Sequence, residues 1–229
     1  MTPLVLIPGM MCDARLYRGQ LGAFGHRSVF LASCTEADSV ERLAAAICAL
    51  APPRFAVAGL SMGGIVAMEM LRQAPGRIER IALIDTNPRA ELPQVRALRQ
   101  PQIDRALAGD LEGVMRDEMK PKYLADGPGK DGILDLCMDM AIRLGPQVFA
   151  RQSRALAGRP DQQETLAAFR GPALVMMGAE DRLCPRDRHE LMHRLMPQSR
   201  FCVVEGAGHL PTLEKPEKTM AELLRWLEE

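Results

Sequence analysis

The sequence predicts an α/β fold, a mostly parallel, doubly wound sheet of about six strands with a helical insertion. Three observations carry that expectation. Short apolar runs alternate with helix-length stretches, as βαβ units with right-handed crossovers require. The runs are nearly continuously apolar, so both faces of each strand meet a core. One long segment, residues 87–170, breaks the rhythm and contains no convincing strand.

In chain order, the first run is Leu4 to Ile7, closed by Pro8-Gly9. Ser28 to Ala32 is the second, followed by a helical stretch from Val40 to Leu50. Phe55 to Ala58 leads through a glycine-rich turn into a helix over Met62 to Gln73. Ile81 to Ile84 is the fourth strand. The insertion follows, with helical patches at Leu92 to Leu107 and Leu134 to Arg143 and a turn signal at Asp126-Gly127-Pro128-Gly129. Ala173 to Met177, a helix over Arg186 to Met196, Phe201 to Val204 and a helix over Lys218 to Leu227 complete the pattern. Residues 1–86 and 171–229 therefore read as one core, and 87–170 as a lid above the carboxyl ends of the strands.

Composition narrows the function. At 229 residues and 47% hydrophobic, the chain can bury a full-sized core. Lys+Arg and Asp+Glu both count 29, so no overall field recruits nucleic acid or an anionic membrane. Aromatic residues make up only 4%, too few for a base-stacking platform. The N-terminal apolar run lacks a basic leader and is broken by proline and glycine, so it reads as a strand and not a signal peptide. No apolar stretch is long enough to span a bilayer. The six cysteines are scattered without a C-x-x-C pair, which suits reduced thiols in a cytoplasmic protein.

Four motifs carry chemistry. Gly59-Leu60-Ser61-Met62-Gly63 is G-x-S-x-G at a strand-to-helix turn. A serine on such a tight, strained turn needs small neighbours two positions away. The helix that follows aims its free N–H groups at developing negative charge. Gly178-Ala179-Glu180-Asp181 puts carboxylates at a strand's carboxyl end, where one can orient a histidine. Asp181 is the first choice, with Glu180 and Asp85 as rivals. Gly206-Ala207-Gly208-His209 places a histidine on a flexible loop after the last strand. Pro8-Gly9-Met10-Met11 follows the first strand and can supply a backbone N–H from Met10, or failing that Met11, beside that of Met62.

These motifs, with Ile84-Asp85, Leu210-Pro211 and Glu214-Lys215-Pro216-Glu217, run the length of the chain. Together they resemble the α/β-hydrolase fold superfamily, in particular its lid-bearing esterase, lactonase and C–C hydrolase group. The order Ser…Asp…His is the one that fold expects. The resemblance implies Ser61 as nucleophile, His209 as base, Asp181 as its acid partner, and an oxyanion hole from the Met10 and Met62 N–H groups. It implies hydrolysis of a small-molecule ester, thioester or lactone through an acyl-enzyme, with no cofactor and no metal. C–C hydrolysis, cofactor-free perhydrolysis and a non-catalytic receptor of the same fold are the alternatives. Two departures stand out: Pro8 occupies the place of a common histidine, and the usual leading hairpin is missing.

A competing motif is His189-Glu190-Leu191-Met192-His193, which matches the zinc pattern H-E-x-x-H, with Glu214 downstream as a further ligand. The helix is short, and Leu191, Met192, Leu195 and Met196 form its core-facing stripe. At roughly 100° per residue both histidines fall to the side of that stripe, as boundary or surface residues. The methionines of the insertion (Met115, Met119, Met138, Met140) read as lid core. Its arginines (Arg96, Arg99, Arg143, Arg151, Arg154) read as solvated surface; contact with an acidic acyl tail is a further reading that no single arginine claims.

Overall fold

Leu4–Ile7 forms β1 with all its side chains buried, which only a strand covered on both faces allows. The computed structural model describes residues 1–25 and 27–229. The remaining strands are β2 (Val29–Leu31), β3 (Phe55–Leu60), β4 (Ile78–Ile84), β5 (Ala173–Gly178) and β6 (Arg200–Val204). They form one six-stranded sheet in the order β2-β1-β3-β4-β5-β6, and every pairing is parallel. The sequence predicts a mostly parallel sheet; among the described residues it is wholly so.

The longer helices are α1 (Val40–Leu50), α2 (Met62–Gln73), α3 (Pro93–Arg105), α4 (Lys130–Leu144), α5 (Pro146–Ala157), α6 (Gln163–Ala168), α7 (Arg186–Leu195) and α8 (Pro216–Glu228). Period-2 alternation splits each strand between two cores. Val5, Ile7, Val57, Leu83 and Val175 join the core that α1, α2 and α7 cover. Leu4, Leu6, Ala58, Ile84 and Met176 join the opposite core, closed by Leu223 and Trp226 of α8. The ends of α1 and α8 follow local chemistry. Ser39 caps α1 by accepting the Arg42 N–H, and Pro216 opens α8, where no N–H is needed.

β4 begins at Ile78, three residues before the predicted Ile81. Glu79 and Arg80 break the apolar run, yet the pairing Ala56↔Arg80 extends the ladder to the half-buried edge of the strand. Between β4 and β5 the described residues contain no strand. α3 passes into π-helical turns around Gly109, whose φ of 101° breaks the helix. α4, α5 and α6 follow; α5 and α6 are absent from the sequence reading. No helix is long and apolar enough to cross a membrane among the described residues. All six cysteines are unpaired, and all but the half-buried Cys184 are buried.

Candidate active site

The chain leaves β1 toward β2 and returns on the other side to β3, so the sheet order reverses between β1 and β3. Loops leaving such a point diverge and open a crevice at the carboxyl ends. The pairing Ile7↔Gly59 sets the loop after β1 beside the loop after β3. A cavity of about 240 Å³ lies there, and Met10, Ser61, Met62 and His209 all line it.

Ser61 has φ 55° and ψ −117°, a strained conformation for a residue with a side chain. Such strain costs about 1–3 kcal/mol and persists only where its surroundings enforce it. Here the enforcement is steric. A Cβ at Gly59 would sit 2.2 Å from the Gly63 carbonyl oxygen, and one at Gly63 would sit 2.1 Å from that of Ile7. These contacts let α2 begin directly against β1 and β3. The Ser61 N–H donates to the Ile84 carbonyl at 2.9 Å, and the Thr86 hydroxyl donates to the Ser61 carbonyl at 2.7 Å. Met62 opens α2, so its N–H has no acceptor within the helix. The Met11 N–H is taken by Gln152 Oε1 at 2.8 Å, whereas the Met10 N–H has no acceptor among the described residues. That singles out Met10 over Met11 as the second free donor.

The His209 Nδ1 lies 2.9 and 3.0 Å from the two Asp181 carboxylate oxygens. Asp181 also accepts the Leu183 and Cys184 N–H groups at 2.8 and 3.1 Å. Burial opposes its ionisation, but His209 and these donors outweigh burial and hold its carboxyl at about 2. The rivals go elsewhere. Glu180 is exposed, and its backbone N–H donates to the Ala207 carbonyl at 2.9 Å. Asp85 is fully buried, takes φ 44° and accepts the Gly178 N–H at 2.9 Å. Burial and the adjacent Asp181 charge push its pKa well above the usual range, opposite to the shift at Asp181. Asp85 therefore backs Asp181 and does not face His209 as the acid.

Two clamps went unread in the sequence. Glu214 accepts backbone N–H groups from Gly208, Leu210 and Ala125 at 2.8–3.0 Å, and so pins the chain on both sides of His209. The His209 N–H itself donates to the Tyr123 carbonyl at 2.6 Å. Gln152 of α5 accepts from Met11 and donates to the Cys34 carbonyl at 2.9 Å, fixing the loop that carries Met10. Glu214 was visible in the sequence as part of a family motif and as a ligand in the zinc reading, but not as a clamp on the His209 loop. Gln152 gave no signal, because its partners lie far away in the chain.

The H-E-x-x-H pattern of α7 needs a correction. His189 is fully buried, not a boundary residue, because α7 rotates it toward the sheet. Its Nε2 accepts the Thr86 N–H at 3.2 Å, and burial lowers its pKa to about 4. His193 turns away to Ser199 at 2.8 Å, and Glu190 pairs with Arg186. Two groups could converge on an ion among the described residues, Asp85/Asp181/His189 and Asp181/Cys184/His209. Neither contains Glu190, His193 or Glu214. Cys12 and Cys184 also line the cavity, and burial holds both thiols well above their usual pKa, so neither offers a thiolate there.

A sharp strand-to-helix serine, a buried carboxylate–imidazole pair and an all-parallel sheet define a hydrolase class. The chain belongs to the alpha/beta hydrolase family, whose sequence pattern matches residues 4–223. It is similar to the pimeloyl-(acyl-carrier protein) methyl ester esterase of Aeromonas hydrophila, at 26% identity over 218 residues, 93% of this chain and 85% of that one. The enzyme of the same name from Aeromonas salmonicida is 25% identical, over 82% of this chain and 76% of that one. Among solved structures, a thermophilic esterase from Thermogutta terrifontis with malate bound aligns with TM-score 0.90 at 26% identity. The alignment covers 100% of this chain and 90% of that one. The enol-lactonase of Burkholderia xenovorans aligns with TM-score 0.88 at 19% identity, over 100% of this chain and 92% of that one, a likeness of fold.

Proposed function

We propose that this chain is a serine carboxylic ester hydrolase that works through an acyl-enzyme. The observation that carries the reading is that His209, paired with the buried Asp181, lines one cavity with the strained Ser61. Its likeness to curated methyl ester esterases over most of its length supports the same chemistry.

His209 takes the proton from Ser61 Oγ as that oxygen attacks the ester carbonyl carbon. The carbonyl oxygen gains the negative charge, and the Met10 and Met62 N–H groups bind it; losing one such donor costs about 3–4 kcal/mol. Asp181 stabilises the imidazolium and holds the ring so that Nε2 faces the serine. The tetrahedral intermediate collapses, His209 gives its proton to the leaving alcohol, and the acyl group stays on Ser61. Water then attacks the acyl carbon while His209 takes its proton. The acid leaves, and Ser61 regains its hydrogen. A lactone, being a cyclic ester, passes through the same steps.

The segment 87–170 acts as a lid in this scheme. Its support is the lining itself: Leu92, Val95, Met119, Tyr123 and Leu156 come from that segment and cover the cavity with apolar surface. The test is hydrolysis of p-nitrophenyl esters from acetyl to dodecanoyl by the parent, Ser61→Ala and His209→Ala proteins. Both substitutions abolish turnover if the reading holds, and the preferred acyl length sizes the lid pocket. Turnover that survives Ser61→Ala would end the reading.

A further inference from the structure

The cavity wall carries more positive charge than the protein around it. Among the described residues its charged lining is Arg99, Arg159 and Arg188 against a single acid, Glu91. The chain as a whole has a formal net charge of +0, so this excess is local. Glu91 is 2% exposed, and both Arg99 and Arg159 converge on it. Arg99 grips it through Nε and Nη2, and Arg159 through Nη1 at 2.5 Å; Arg159 Nε donates to the Arg89 carbonyl at 3.0 Å. One carboxylate cannot neutralise two guanidinium groups. Arg188 comes from α7, and its partner Asp187 is 55% exposed and outside the lining. Among the described residues Arg99 Nη1, Arg159 Nη2, and Arg188 Nε and Nη2 have no protein acceptor.

We infer that this wall is a subsite for a free carboxylate on the substrate, so that the preferred ester is one bearing a carboxylate a short distance from the scissile bond. The inference rests on the ester-hydrolase reading and names its substrate class. The chemistry is direct: guanidinium forks match carboxylate geometry, and a partly desolvated arginine without a full counter-charge binds an incoming anion strongly. The same cavity holds Ser61 and His209, and its small volume limits the spacer between ester and carboxylate.

The experiment measures kcat/KM by pH-stat titration for matched pairs. Monomethyl glutarate against methyl pentanoate places the carboxylate in the acyl part. Carboxymethyl butyrate against ethyl butyrate places it in the alcohol part. The parent enzyme favours the charged member of at least one pair by about tenfold or more. Arg188→Gln cuts that charged-to-neutral ratio about tenfold. Glu91→Gln, which removes the competing anion and keeps an acceptor oxygen, raises it. Equal turnover of charged and neutral members, or an Arg188→Gln loss that leaves the ratio unchanged, would overturn the subsite. Absence of Ser61-dependent turnover for every ester would instead overturn the hydrolase reading. The subsite is then judged by calorimetry on the Ser61→Ala protein. Tighter binding of monomethyl than dimethyl glutarate, weakened by Arg188→Gln, upholds it, and equal binding removes it.

Discussion

Asp85, Asp181 and His189 form a buried group in which burial and neighbouring charge decide where protons reside. Burial raises Asp85 well above the usual carboxylate range, His209 and backbone donors hold Asp181 at about 2 against its own burial, and burial lowers His189 to about 4. The His189 shift makes a pH prediction. Its ring titrates at about 4 when folded, against an ordinary value near 6.5, so between those values the unfolded chain binds more protons. This residue therefore costs stability as pH falls from 6.5 toward 4, by about 3 kcal/mol across the window. Asp85 pulls the other way, because a carboxyl whose pKa is raised in the fold favours folding as pH falls. His189→Asn preserves an acceptor for the Thr86 N–H and removes the histidine contribution. Urea unfolding at several pH values should show the variant gaining about 3 kcal/mol on the parent between pH 6.5 and 4. A pH-independent difference would contradict the assignment. Asp181→Asn leaves the loop in place and removes the charge, and kcat should fall about 10³–10⁴-fold in ester assays. Asp181 was legible because it ends a strand in a glycine-led turn. His189 was misread because a helical wheel marks the apolar stripe but not how far the helix tilts into the sheet.

At the scale of elements, the loops that carry Met10 and His209 are held by side chains from distant parts of the chain. Glu214 is the stronger case. Glu214→Ala would leave the N–H groups of Ala125, Gly208 and Leu210 without their acceptor, each at about 1–3 kcal/mol. The expected outcome is a loss of several kcal/mol in urea unfolding, only partly spared by Glu214→Gln, because both carboxylate oxygens accept and the amide keeps just one of them. Gln152→Leu frees the Met11 N–H and the Cys34 carbonyl and loosens the oxyanion loop. Its kcat should fall more than its KM rises, because in the proposed mechanism the Met10 donor acts on charge that appears in the transition state. A change in KM alone would mean that Gln152 shapes the pocket and not the donor. α1 and α2 match their predicted bounds, since Ser39 and the glycine turn mark their starts. α5 escaped notice: its buried Val148, Phe149 and Leu156 are interleaved with Gln152 and Ser153, which are buried through contacts no local pattern reveals.

For the whole molecule, the sheet was legible and the space above it was not. Strands buried on both faces leave continuous apolar runs, so six runs gave six strands within a few residues of their ends. The reversal between β1 and β3 and the cavity it opens depend on strand order, which no run of residues encodes locally. The same holds for the arginines: Arg99 was one of several exposed-looking candidates, and only the fold brings Glu91, Arg159 and Arg188 around one cavity with it. The two-sided core also predicts where the fold is vulnerable. Trp226 is fully buried on α8 against the sheet, and Trp226→Ala should cost about 3–5 kcal/mol by chemical denaturation.

In the proposed mechanism an ester's acyl group passes through Ser61. Acid-quenching the enzyme during turnover of p-nitrophenyl butyrate, then measuring peptide masses after digestion, tests it most directly. A butyryl mass is expected on the peptide carrying Ser61, accumulating further in a His209→Ala protein only as fast as acylation still allows, and absent from Ser61→Ala. Steady turnover with the butyryl group on another residue would contradict it.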